Sequence, residues 1–186
     1  MSGDRSQTYW IMAPEQLAAM ASARRQDIVD RLAAAGALSV KELAAQIGAR
    51  PPALYHHLEK LLAVGLIEEA GSRIVRRKRE TLYAARAPRM RMARALAEGQ
   101  HPELMEAIVA SLTRQMDRDF RTGIASSARQ TDGALRNLGF FRLMGRPDAA
   151  GMARINACLA EVAEILWHAD APDADLVCLS WVFAPL

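Results

Sequence analysis

Leu38-Ser39-Val40-Lys41-Glu42-Leu43-Ala44, followed shortly by Ala53-Leu54-Tyr55-His56-His57-Leu58-Glu59-Lys60-Leu61, is the stretch whose reading decides how this chain folds. Ser39 and Glu42 stand three apart ahead of an apolar run. That is the spacing of a capping box, in which a hydroxyl and a carboxylate satisfy the orphan amides of a helix start. A helix is predicted over 40–47, with Gly48 as its stop. Arg50-Pro51-Pro52 restarts the chain, because proline is tolerated in a first turn where its missing N–H costs nothing. The second helix runs over 51–64 and Gly65 closes it. Leu43, Ala44 and Ile47 on the first helix then face Leu54, Leu58 and Leu61 on the second, across a turn of only a few residues.

Working outward, 14–20 and 24–34 read as two short helices with Leu17, Met20, Ile28, Val29 and Leu32 facing inward, the second ended by Gly36. Downstream, Leu66-Ile67-Glu68-Glu69-Ala70 and Glu80-Thr81-Leu82-Tyr83-Ala84 read as strands enclosing Gly71-Ser72 and a basic tip. The whole of 14–86 is a winged helix-turn-helix pattern. From Ala87 the character changes: 90–98 and 103–120 are helical, the latter with Leu104, Ile108, Leu112 and Met116 at four-residue intervals. Residues 123–136 look irregular. A strand candidate at 137–144, a long helix at 147–168 carrying Ile155, Leu159, Val162 and Leu166, and a second strand candidate at 176–183 suggest a β-α-β unit. The fold class is therefore mainly α, of α+β type, with a winged helix-turn-helix domain at 14–86 and a helical/β-α-β domain at 87–186. Residues 171–175 form a polar turn, and the chain shows neither an internal repeat nor a low-complexity segment.

At 186 residues and 51% hydrophobic, the chain has ample material for a core and an appended module. The net charge of +3 is unevenly placed: residues 1–87 carry 13 Lys/Arg against 9 Asp/Glu, and 88–186 carry 11 against 12. A polyanion-binding half joined to a neutral half is the implied arrangement. Met1-Ser2-Gly3-Asp4-Arg5-Ser6 has no apolar signal core, and no run approaches the roughly 18 apolar residues of a membrane span, so a soluble, cytoplasmic protein without a membrane partner is expected. Cys158 and Cys178 fall in different predicted elements without a histidine cluster, which supports no zinc site or disulfide and is expected to leave two buried free thiols.

Catalysis needs a nucleophile beside a base, a carboxylate pair in a cleft or a phosphate-cradling glycine loop, and none stands here at recognisable spacing. His101 and His168 are isolated, and Asp117 and Asp119 diverge from one another on a helix. The chain is read as a non-enzyme, with no cofactor and no metal.

What remains is a double-stranded DNA interface. The second helix of the pair has the dimensions to enter a major groove, and its outward positions are Arg50, Pro51, Pro52, Tyr55, His56 and Lys60. Arg50 and Lys60 suit phosphate or guanine, Tyr55 a phosphate, and His56 a base edge or backbone. His57 is a further candidate, although it adjoins Leu58 on the side turning inward, where packing against the helix or wing competes with DNA contact. A metal pair from the two histidines is disfavoured, since adjacent side chains diverge on a helix. The tip Arg73-Ile74-Val75-Arg76-Arg77-Lys78-Arg79 holds five cations in seven residues, which suits the sugar-phosphate backbone or minor groove.

These motifs, with Gly65-Leu66-Ile67, resemble ArsR-type winged helix-turn-helix transcriptional regulators over about residues 14–86. The resemblance implies a DNA-binding regulator, commonly a repressor, that binds a palindromic operator as a homodimer built from its outer helices. Arsenic- and metal-sensing members carry a Cys-x-Cys motif in the first helix of the pair; here Leu43-Ala44-Ala45-Gln46 occupies that stretch, so the likeness is to a non-metal-sensing branch. The C-terminal part resembles extensions of some such regulators that end in a strand followed by Ala-Pro-Leu, as Ala184-Pro185-Leu186 does here. The apolar faces of 15–20 and 103–120 exceed what one small core needs, which also points to a dimer, with 87–186 as the dimerisation and possible effector domain. Met90, Met92, Met105, Met116, Met144 and Met152 with Trp167 and Trp181 either pack a core or dimer interface or line a pocket for a small-molecule effector of unidentified chemistry. The competing reading is a winged-helix module that docks proteins in a larger assembly; the 73–79 cluster favours the polyanion.

Overall fold

A computed structural model of the chain describes residues 7–99, 101–169, 171 and 174–185. The expectations about residues 1–6, about Pro172 and Asp173 of the polar turn, and about Leu186 lie outside them. The chain divides into two compact units, Met1–Gln115 and Met116–Leu186. The first takes in more chain at both ends than 14–86.

The first unit begins with β1 (Thr8–Trp10), α1 (Pro14–Met20) and α2 (Ala23–Ala35). Strand β2 (Leu38–Ser39) leads into α3 (Val40–Ile47), whose start is the capping box read from the sequence: Ser39 Oγ accepts from the Glu42 amide and the Glu42 carboxylate accepts from the Ser39 amide. Gly48 ends α3 in the left-handed region (φ 66°), which a side chain would strain and glycine adopts freely. The expected helix at 51–64 is divided. Pro51–Ala53 is a 3-10 turn, closed by the Ala53 amide donating to the Arg50 carbonyl at 3.0 Å and the Leu54 amide to that of Pro51 at 3.1 Å, and α4 proper spans Tyr55–Ala63. Leu17, Ile28, Val29, Leu32, Leu43, Leu54, Leu58 and Leu61 are all at most 1% exposed and form one core with Leu66 and Ile67. Two buried glutamines lock it. Gln16 Nε2 donates to Tyr9 Oη at 2.8 Å and to the Val64 carbonyl at 3.0 Å, and Gln26 Nε2 donates to the carbonyls of Met20 (2.6 Å) and Ile108 (3.2 Å).

The hairpin is longer than expected. Strands β3 (Ile67–Val75) and β4 (Lys78–Ala85) pair antiparallel from Ile67↔Ala85 to Val75↔Lys78, with an irregularity between Glu69 and Ser72. Strand β2 adds to β4 on the other side, giving the order β2-β4-β3. The expected helix at 90–98 is likewise corrected: Arg89–Arg91 is strand β5, parallel to β1, and only Ala93–Ala97 forms α5. The ladder to β1 draws 89–91 into extended backbone, and the Ile11 amide, donating to the Arg91 carbonyl at 2.8 Å, continues it. Helix α6 (Pro102–Ala125) extends the predicted 103–120 at both ends.

The second unit contains the end of α6, an irregular segment, and α7 (Ala149–His168), capped by Asp148 Oδ1 accepting from the Gly151 amide at 2.7 Å. Phe120 and Phe140 meet edge to face at 5.8 Å. The later helical region agrees with the α+β reading, but the two strand candidates do not form: 137–144 and 176–183 enter no ladder, since no described segment of the chain pairs with them. Cys158 and Cys178 are both exposed, not buried: α7 buries none of its residues, and 176–183 enters no ladder among the described residues. The Met/Trp set is divided between the two units. Met90, Met92 and Met105 pack against the core of the first unit, whereas Met144, Met152 and Trp181 are exposed in the second.

Candidate nucleic-acid interface

Helix α4 buries Leu58 and Leu61 and turns Tyr55 (51% exposed), His56, Glu59 and Lys60 to solvent. Arg50 precedes the 3-10 turn with its side chain exposed; Pro52 is exposed and Pro51 half-buried. Arg50, Pro52, Tyr55, His56 and Lys60 thus hold the outward positions assigned to them. Glu59, overlooked in the sequence reading, shares that face and contributes a carboxylate able to accept from a cytosine amino group.

His57 is a different case. It is half-buried, its Nδ1 has no hydrogen-bond partner among the described residues, and burial, followed by the nearby Arg25 guanidinium, lowers its pKa below the usual imidazole value. Burial favours the neutral form there. The half-buried placement is the one expected of the packing alternative.

The wing carries cations of two kinds. Arg73 is held: its Nη2 lies 2.7 Å from Glu42 Oε1 and 3.5 Å from Glu80 Oε2, and it reaches Ser39 Oγ at 3.4 Å. Lys41 Nζ completes the group at 2.6 Å from Glu80 Oε1. The hydrogen bond from Arg73 lowers the Glu42 carboxyl's pKa, that from Lys41 lowers Glu80's, and Glu42 in return raises that of Arg73. This cluster ties the hairpin to the first turn of α3. Arg73 thus holds the hairpin to α3, with its charge shared by two carboxylates.

Beyond it the hairpin stands in solvent. Residues 71–79 are all exposed, and Val75↔Lys78 closes a two-residue turn of Arg76 and Arg77. Both turn residues have positive φ, 48° and 64°, the conformation of a type I′ turn that asparagine and glycine adopt most readily. Two arginines there hold strained backbone at the point farthest along the hairpin. Arg76, Arg77 and Lys78 make no ion pair among the described residues, and Arg79 Nε donates to Ser72 Oγ at 2.9 Å, a neutral partner that leaves its charge uncompensated.

Among the described residues no group of three or more His, Cys, Asp or Glu is placed to hold a metal ion, and no helix is long and apolar enough to cross a membrane. Residues 20–70 match the family model described as a helix-turn-helix domain. That match starts in α1 and ends in β3, covering the two helices but not the wing tip. No curated protein matches the chain.

Proposed function

We propose that this chain is a sequence-specific, double-stranded DNA-binding transcriptional regulator whose α4 enters the major groove while the 76–79 hairpin tip follows the backbone or the adjacent minor groove. The observation that carries the reading is the division of charge on the wing: Arg73 is spent on carboxylates, while Arg76, Arg77 and Lys78 face solvent with no ion-pair partner among the described residues. Uncompensated cations on a projecting hairpin, next in the chain to a helix-turn-helix match, suit a polyanion better than they suit a folded protein partner.

In this reading Arg50 and Lys60 neutralise phosphates flanking α4, Tyr55 donates to a phosphate, and His56 and Glu59 face base edges. Two copies bind a palindromic operator, one half-site each, and binding over a promoter represses. A small-molecule effector acting through the C-terminal region is part of the same proposal; its chemistry is left open. A footprint on the DNA upstream of its own coding sequence tests the reading: two protected half-sites one helical turn or a multiple apart support it, and no protected segment at any protein concentration overturns it in favour of a protein-docking module.

A further inference from the structure

Of the twenty large apolar side chains left exposed among the described residues, fifteen lie beyond residue 115, in the second unit. Helix α7 has twenty residues and buries none of them, although helices in proteins owe most of their stability to packing of an apolar face. The two strand candidates are equally bare: Phe140 is 82% exposed, Leu143 87%, Leu179 53% and Phe183 54%. The backbone of 139–146 makes no backbone hydrogen bond among the described residues.

We infer that the second unit is completed by the second unit of another copy of this chain, with 139–144 and 176–183 forming the strands of a shared sheet. The alternation of 176–183 argues for a second copy over in-chain closure. Val177, Leu179, Trp181 and Phe183 fall on one face of an extended strand, and Leu176, Cys178, Ser180 and Val182 on the other. A strand apolar along one face and largely apolar on the other needs cover on both, and α7, the second unit's own helix, can lie on only one of them. The area agrees. Eleven side chains of 135–144 and 176–183, each offering on the order of 150–200 Å², are 41–87% exposed and together present roughly 1,000 Å² per chain, at or above the ≈ 800 Å² per partner of a stable interface. This deepens the proposed pairing of two copies and moves it away from outer helix α1, whose Leu17, Ala19 and Met20 are already buried in the first unit.

The test is sedimentation equilibrium of the full chain at micromolar concentration, beside Leu143→Glu, Leu179→Glu and, as a control in the first unit, Leu96→Glu. Wild type and Leu96→Glu are expected at the mass of two chains, and each of the other variants at one 20.4 kDa chain with the melting of the first unit unchanged. Hydrogen exchange on the wild type is expected to show protection of 139–144 and 176–183 that is lost on dilution. A monomeric wild type, a Leu143→Glu, Leu179→Glu pair that both stay dimeric, or protection independent of concentration overturns the inference. None of these readouts uses DNA, so they stand or fall separately from the DNA-binding reading.

Discussion

Arg73 Nη2 lies 2.7 Å from Glu42 Oε1, joining the middle of β3 to the N3 position of α3, and Glu42 is at the same time the carboxylate of that helix's capping box. One side chain thus serves the helix start and the wing, so the hairpin's direction is set by the first helix of the pair. Arg73→Gln should loosen that coupling. The expected result is weaker DNA binding with an unchanged salt slope and faster amide exchange in 72–80, because the residue braces the wing without touching phosphate. A slope that falls by about one unit would instead make Arg73 a phosphate contact.

Removing the hydroxyl of the same cap reaches the fold directly. Ser39→Ala deletes the acceptor for the Glu42 amide at a site 2% exposed, and a loss of about 1 kcal/mol is expected in urea denaturation. The partial rescue expected of Ser39→Asp, another good capping residue, separates the cap from simple loss of volume.

Acid should release the wing. Glu42 and Glu80 both have lowered pKa values in the folded chain, so the unfolded chain binds more protons between the folded and unfolded values. Their contribution is complete above the unfolded glutamate value of about 4.3 and is lost as pH falls through the folded values. Hydrogen exchange of 72–80 is expected to accelerate over that window in the wild type and to be fast already above it in Glu42→Gln.

His57 should titrate below the ordinary imidazole value of about 6.5 in an NMR titration, because burial and then Arg25 oppose its protonation. With the folded value depressed, its contribution to stability is full above the unfolded value of about 6.5 and is lost as pH falls through the folded value. His57→Gln is expected to leave the salt slope of DNA binding intact, whereas Lys60→Ala makes it shallower by about 0.9.

The turn offers a trade between stability and binding. Replacing Arg76-Arg77 with Asn-Gly suits the positive φ values and is expected to stabilise the hairpin by about 1 kcal/mol or more while weakening DNA binding. Thermal melting and a binding titration on the same sample check both halves; unchanged affinity would remove the two arginines from the interface.

The parts of the fold legible in the sequence are those specified locally. Ser39 with Glu42, Gly48 and Gly65 mark helix ends within a few residues of what they act on, so α3 and the end of α4 could be placed closely, while the start of α4 fell four residues later than expected. Strands β1 and β5 could not. Each has three residues, and their parallel pairing joins Thr8 to Arg89 across most of the first unit, leaving no local pattern to read. In the candidate interface, counting cations located the wing tip, but which cation was already engaged depended on strand register, since Arg73 sits opposite Glu80. The segments 137–144 and 176–183 carry strand-like composition, yet a strand forms only against a partner, and composition does not say which chain provides one.

The most direct measurement is the salt dependence of binding to the upstream DNA for wild type and for Arg76→Ala, Arg77→Ala, Lys78→Ala combined. The account predicts a steep wild-type slope and, in the triple variant, weaker binding with a slope shallower by about 2.7 per bound chain, from three lost phosphate contacts at about 0.9 each. Equal slopes for the two proteins, or wild-type binding that does not respond to salt, would contradict it.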